Sequence, residues 1–256
     1  DIKYDGRHKA RMVAGGHQAD IPIDSVYSGV VSLRGFRMCV FLAELNGMET
    51  YTTDITSAYL EAYTNEKIVV RAGPEFGELS RHLLLVSKSL YGMFSSGLRF
   101  NELLGKCLSD LGFERSKCES DIWMRDKGDH YEYICTYVDD LAVVSFEPLK
   151  IIDALQGKPY NFKLKGTTNI DGAVHLGSRF SRDKDGVLTM DPDHYIKRME
   201  ESYKQRFPGE EIDKRVTSPL DPGDHPELDT SEFLPRDEIQ IYQSLVGAMQ
   251  WAISIG

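Results

Sequence analysis

The sequence predicts an α+β fold built on an antiparallel central sheet. Three observations carry this expectation. Apolar runs of strand length are interleaved with stretches of helical periodicity, some runs fold back on each other as hairpins, and 41% hydrophobic with 27% charged residues is the balance of a globular core.

The elements follow in chain order. Leu33, Phe36, Val40 and Ala43 share one face of a helix expected from about Ser28 to Leu45, stopped by Asn46-Gly47. Met48–Thr53 is a short run leading into Asp54, and Lys67–Arg71 and His82–Val86 read as strands. Phe100, Leu103, Leu104, Cys107 and Leu111 turn inward from a helix over about Gly97–Leu111, which Gly112 ends. Tyr131–Val138 and Leu141–Phe146 are strands. Pro148 stands at a first helical position, and Gly157 closes that helix. Val174–Phe180 reads as one strand, turned back by residues 182–186 into Val187–Met190. Asp191-Pro192 opens a helix carrying Ile196, Met199 and Tyr203, and the last helix carries Tyr242, Leu245, Met249 and Ala252. Residues 207–238, rich in proline and acid, read as an exposed connection.

The 256 residues suffice for one large domain or a few packed lobes. No apolar run approaches the ~20 residues of a membrane span, so no membrane partner is expected. The chain opens on Asp1 with no signal peptide, which reads as a segment of something longer. Cys39, Cys107, Cys118 and Cys135 form no C-x-x-C pair, which argues against a zinc site and suits a reducing compartment. The formal charge is −10, of which residues 191–240 hold −7. Near the start, Lys3, Arg7, Lys9 and Arg11 form a small basic strip.

Chemistry concentrates at Tyr137-Val138-Asp139-Asp140, where adjacent carboxylates interrupt apolar strands. An exposed Asp-Asp turn is the plainer reading of this segment alone. Asp54, at the mouth of another strand, adds a third carboxylate. Together they make a hard-oxygen cluster suited to Mg²⁺, with Mn²⁺ as a substitute. Two such ions ~3.5–4 Å apart serve an in-line phosphoryl displacement. Because strand side chains alternate, one of Asp139 and Asp140 is expected nearer the metal, and we take it to be Asp139.

Several short strings, in order, resemble the reverse transcriptases of copia-type LTR retrotransposons. Residues 9–14 (KARMVA) resemble that family's K-A-R-L-V-A, residues 54–60 its D-V-K-x-A-F-L, and Leu90-Tyr91-Gly92-Met93 its L-Y-G-L. Leu111-Gly112-Phe113 followed by Ser116 matches another stretch. Tyr137–Asp140 matches Y-V-D-D, residues 175–177 F-L-G, and residues 242–247 Y-R-S-L-V-G.

The resemblance implies a right-hand polymerase: fingers over 1–50 and 64–98, palm over 51–63 and 99–190, and the start of thumb or connection over 191–256. Helices would back the antiparallel palm sheet. It implies an RNA-directed DNA polymerase taking an RNA or DNA template, a DNA primer and dNTPs, inside a cytoplasmic virus-like particle with access to the nucleus. Asp54, Asp139 and Asp140 become catalytic metal ligands, with the Ile55 backbone beside them. Lys9 and Arg11 would lie over the triphosphate, Ala58 and Tyr59 at the sugar, Tyr91 and Gly92 in the nucleotide pocket, and Leu176 and Gly177 under the primer end. Ribonuclease H, which follows in the family, is expected to be absent. Residues 93–100 (MFSSGLRF) depart from the family's L-K-Q-S-P-R-A-W. That departure and the acidic charge favour a competing reading, a decayed copy that binds nucleic acid or a protein without catalysis. A two-metal nucleotidyl transferase that does not copy RNA is the other rival.

Overall fold

The structure, a computed structural model, describes residues 12–16, 26–209, 223, 225–228 and 230–255. The chain forms two compact units, Asp1–Ile170 and Asp171–Gly256.

In the first unit, α1 (Leu33–Asn46) begins where the Ser32 hydroxyl accepts the Gly35 amide at 3.0 Å. That cap sets its start later than the apolar pattern suggested. Gly47, at φ 67°, ends it in the left-handed region where a side chain would be strained. Then come β1 (Glu49–Ile55), the single turn α2 (Ala58–Glu61), β2 (Val69–Arg71), β3 (Leu83–Leu85), α3 (Ser96–Asp110), β4 (Glu114–Arg115), β5 (Ile122–Asp126), β6 (Tyr131–Tyr137), β7 (Asp140–Ser145), α4 (Pro148–Gln156) and β8 (Leu164–Asn169).

A six-stranded antiparallel sheet has the order β4-β5-β6-β7-β1-β8, and β2 and β3 form a separate ribbon. The expected α+β architecture is borne out. Central β7 is buried from Leu141 to Ser145, hence its unbroken apolar run. Leu141 and Val143 join Phe100, Leu104 and Leu108 of α3 and Ile151, Ile152 and Leu155 of α4 in one core cluster. Each such side chain contributes on the order of 2 kcal/mol through burial. The helix α1 packs on β6, β7 and β1 through its own buried set, Phe36, Cys39, Val40 and Ala43.

In the second unit, β9 (Val174–His175), β10 (Ser178–Arg182) and β11 (Leu188–Asp191) form a three-stranded antiparallel sheet, followed by α5 (Asp193–Arg206) and α6 (Arg236–Ile255). The single strand expected over Val174–Phe180 is corrected here. Leu176 at φ 48° and Gly177 at φ 88° turn the chain into a tight hairpin, and residues with positive φ cannot continue a strand.

Candidate active site at the end of the central sheet

Strands β1 and β7 run antiparallel in a register that sets Asp54 opposite Asp140. Residues directly opposed across strands share a face. Tyr137 is also opposite Asp140, and Lys165 of β8 is opposite Asp54. One row across the sheet therefore reads Tyr137, Asp140, Asp54, Lys165. The hairpin between β6 and β7 is closed by Val138 and Asp139, with Val138 held at φ 56°. A β-branched residue in that region is strained, and such strain concentrates at functional sites. The Ile55 amide donates to the Asp139 carbonyl at 2.8 Å, pinning the hairpin to the end of β1.

The premise for preferring Asp139 as the nearer ligand is corrected. Asp139 lies in the turn rather than in a strand, so strand alternation does not govern it. Asp140 is the residue that shares a face with Asp54.

Burial, then the charges of Asp139 and Asp54, push the Asp140 carboxyl up to about 6, with Lys165 opposing. The Lys165 ammonium lies 2.9 Å from Asp54 Oδ1. That oxygen is shut off from solvent and makes no well-aligned hydrogen bond. Clustered hard oxygens under mutual repulsion, one of them sequestered, are a donor set that suits a divalent cation. Among the described residues, no three Asp, Glu, His or Cys side chains are gathered closely enough to hold a metal ion as they stand.

Beside the carboxylates, Tyr59 enters α2 after Ser57, itself at φ 56°. Its half-buried ring lies 4.9 Å from Tyr91 and meets Phe100 edge-on at 6.5 Å, measured between centroids. Burial, then the charges of Asp139 and Tyr91, raise its phenol above the ordinary range, so Tyr59 neighbours the hairpin. Ala58 is buried in the core cluster. The Ala14 amide donates to the Tyr91 carbonyl at 2.7 Å, and Val13 bridges Tyr91 in parallel. Gly92 sits at φ 88°, and a Cβ there would stand 2.2 Å from the Ala14 carbonyl oxygen. The end of the KARMVA stretch and the Tyr-Gly pair thus meet, although Lys9 and Arg11 lie outside the described residues.

Leu176 and Gly177 form the β9–β10 turn of the second unit, where Gly177 abuts Trp251 and Ile255. In the departing stretch, the Ser96 hydroxyl donates to the Leu90 carbonyl at 2.6 Å and Ser95 bonds to Glu66. Hydroxyls there hold the turn into α3. Lys165 is the residue that sequence reasoning missed. Only the β1–β8 register places it beside Asp54, and Lys163-Leu164-Lys165 carries no signal of that pairing.

A family profile described as reverse transcriptase (RNA-dependent DNA polymerase) matches residues 1–205. The chain belongs to the reverse transcriptase family. The truncated transposon Ty1-A Gag-Pol polyprotein of Saccharomyces cerevisiae is 28% identical to this reverse-transcriptase chain over 265 residues, covering 96% of the chain and 21% of the relative. The transposon Ty1-DR5 Gag-Pol polyprotein of the same organism is 28% identical over 257 residues, covering 96% of the chain and 14% of the relative. The chain therefore spans about a fifth or less of the curated relatives it matches. The likeness to copia-type retrotransposon reverse transcriptases, drawn from the motifs, is borne out. Among the described residues no helix is long and apolar enough to cross a membrane.

Proposed function

We propose that this chain is the polymerase segment of a retrotransposon reverse transcriptase, extending a DNA primer with dNTPs along an RNA or DNA template. The observation that carries the reading is the pairing of Asp54 with Asp140 across β1 and β7, with Asp139 pinned beside them. Asp54, Asp139 and Asp140, with the Ile55 backbone, would hold two Mg²⁺ ions, or Mn²⁺ in their place. Ions held there would supply Lewis acidity toward a primer 3′-hydroxyl and positive charge against the phosphates.

The chain's own residues orient the nucleotide. Tyr59, backed by Tyr91 and Phe100, stacks under the deoxyribose and excludes a 2′-hydroxyl, while Ala58 sets the start of that turn in the core. Gly92 allows residues 12–14 to lie directly against the pocket wall. To Lys9 and Arg11, which precede that segment in the sequence, we assign the triphosphate, where cations offset developing charge. Leu176 and Gly177 support the primer end. In right-hand terms we assign 1–50 and 64–98 to fingers, 51–63 and 99–190 to palm, and 191–256 to the start of thumb or connection. The setting is a cytoplasmic retrotransposon particle with access to the nucleus.

Primer extension on a homopolymer RNA with Mg²⁺ tests this, with Asp54→Asn as the control. Extension by the parent that the substitution abolishes supports the reading. Duplex binding without extension supports the rival, a catalytically decayed binding module. Two observations favour that rival: the altered stretch 93–100, and an Asp54 already engaged by Lys165.

A further inference from the structure

The cation that stands beside Asp54 is the chain's own. Lys165 is the cross-strand partner of Asp54 on β8, at the edge of the six-stranded sheet. Its backbone is anchored, because the Thr53 hydroxyl donates to the Lys165 carbonyl at 3.3 Å and meets the Thr167 hydroxyl at 2.8 Å. Its side chain is not confined: it is 59% exposed and leans on Asp54 from the solvent side. The contact is one of charge and distance, 2.9 Å to an inaccessible oxygen, without the alignment of a hydrogen bond. An ordinary surface pair joins two freely solvated groups and is worth little. Here the carboxylate is only 28% exposed, so removing the ammonium leaves a sequestered negative charge facing Asp140.

We infer that Lys165 is the resident counter-ion of the Asp54–Asp140 pair: its ammonium holds a divalent cation's place in the metal-free site, and metal entry displaces it. A flexible four-carbon stem suits that exchange, since the head can swing into water while β8 stays paired. The inference rests on the metal site proposed above and adds a competitor to it. Metal affinity is then a net quantity, the pull of the carboxylates less the cost of evicting Lys165.

The test is Mn²⁺ binding to the whole chain without nucleotide, read from the resonance signal of free Mn²⁺. Lys165→Met removes the competitor and should tighten binding about five- to tenfold. Lys165→Gln guards against a peculiarity of the Met variant and should do the same. Lys165→Arg keeps a cation in place and should stay near the parent. Lys163→Met, which removes the same charge two residues away, should change affinity less than twofold on the same scale. Metal-free Lys165→Met should also melt lower than the parent yet gain more on metal addition. Unchanged Mn²⁺ affinity in both Lys165→Met and Lys165→Gln would overturn the counter-ion role, as would equal tightening in Lys163→Met. Either result would leave the metal site itself standing. A parent that binds no Mn²⁺ sensitive to Asp54→Asn would overturn the metal site, and the counter-ion role with it.

Discussion

The Ile55 amide donates to the Asp139 carbonyl across 2.8 Å, so the end of β1 and the β6–β7 turn move as one piece. The backbone that presents the carboxylates is thereby held by main-chain bonding rather than by the carboxylates themselves. Asp139→Asn should leave the fold intact and lower primer extension at least about a hundredfold, the scale of losing one group that stabilises developing charge. Easing repulsion with Asp140 and Asp54 should leave the melting temperature equal or slightly higher. Extension assays and thermal melts on the same preparation check both, and extension within a few-fold of the parent would refute the assignment.

Tyr59 and Tyr91 are in ring contact at 4.9 Å, so the first is braced by the second. Tyr59→Val should raise use of ribonucleotides relative to dNTPs on the order of ten- to hundredfold, the range that pocket shape alone commands. Tyr91→Ala should relax the same ratio less, by unbracing a ring that stays in place. Competition between dNTP and rNTP on one template measures each, and an unchanged ratio in Tyr59→Val would return that ring to a packing role.

Gly92 offers a test of the contact between residues 12–14 and the pocket. An alanine there meets the Ala14 carbonyl oxygen at 2.2 Å and must hold φ near 88°. The backbone term alone costs about 1–2 kcal/mol. Gly128 sits at φ 92° with nothing within 4 Å of an added Cβ, so Gly128→Ala isolates that term. Gly92→Ala should melt lower than Gly128→Ala and raise the dNTP KM, because the segment leading back to Lys9 and Arg11 is pushed off the pocket. Equal melting temperatures in the two variants would show that the contact gives way freely.

Much of the site was legible because its signals are local. Tyr137–Asp140 announced a hairpin with carboxylates at its tip, and Asp54 closed the short run Met48–Thr53, so both strand ends were visible. What the residues could not show was register. Lys165 became part of the site only because β8 pairs with β1, and β8 (Leu164–Asn169) is a largely exposed edge strand with no apolar alternation to betray it. The same limit explains Asp139, whose preference rested on strand alternation until the turn removed it from the strand. In the second unit, the apolar look of Val174–Phe180 concealed a turn that depends on the backbone angles of Leu176 and Gly177. Helices read better, since Pro148 and Gly157 mark their ends chemically and the structure places α4 between them.

The last prediction concerns stability rather than catalysis, and it arises from a charge buried within the sheet. Glu132 on β6 is 5% exposed, pairs with Arg125 Nη2 of β5 at 2.6 Å and accepts the Ser145 hydroxyl of β7 at 2.6 Å. Burial pushes its carboxyl upward, but the bonds from Ser145 and Arg125, with the guanidinium charge, outweigh that and leave it below the ordinary 4.5. A carboxyl depressed by folding stabilises the native state above its unfolded value, and that contribution is lost as pH falls through the folded value. Glu132→Gln should therefore cost about 2–3 kcal/mol near neutral pH. The cost sits below that of a fully buried broken pair because Arg125 is 24% exposed and keeps some water. The gap between parent and variant should shrink below about pH 4.5, as the carboxyl takes up its proton first in the unfolded chain and then, at lower pH, in the folded one, where it comes to resemble the amide. Urea denaturation of both proteins at about pH 7 and about pH 3.5 decides it. A gap of the same size at both values would mean that Glu132 matters through its shape and hydrogen bonds rather than through its charge.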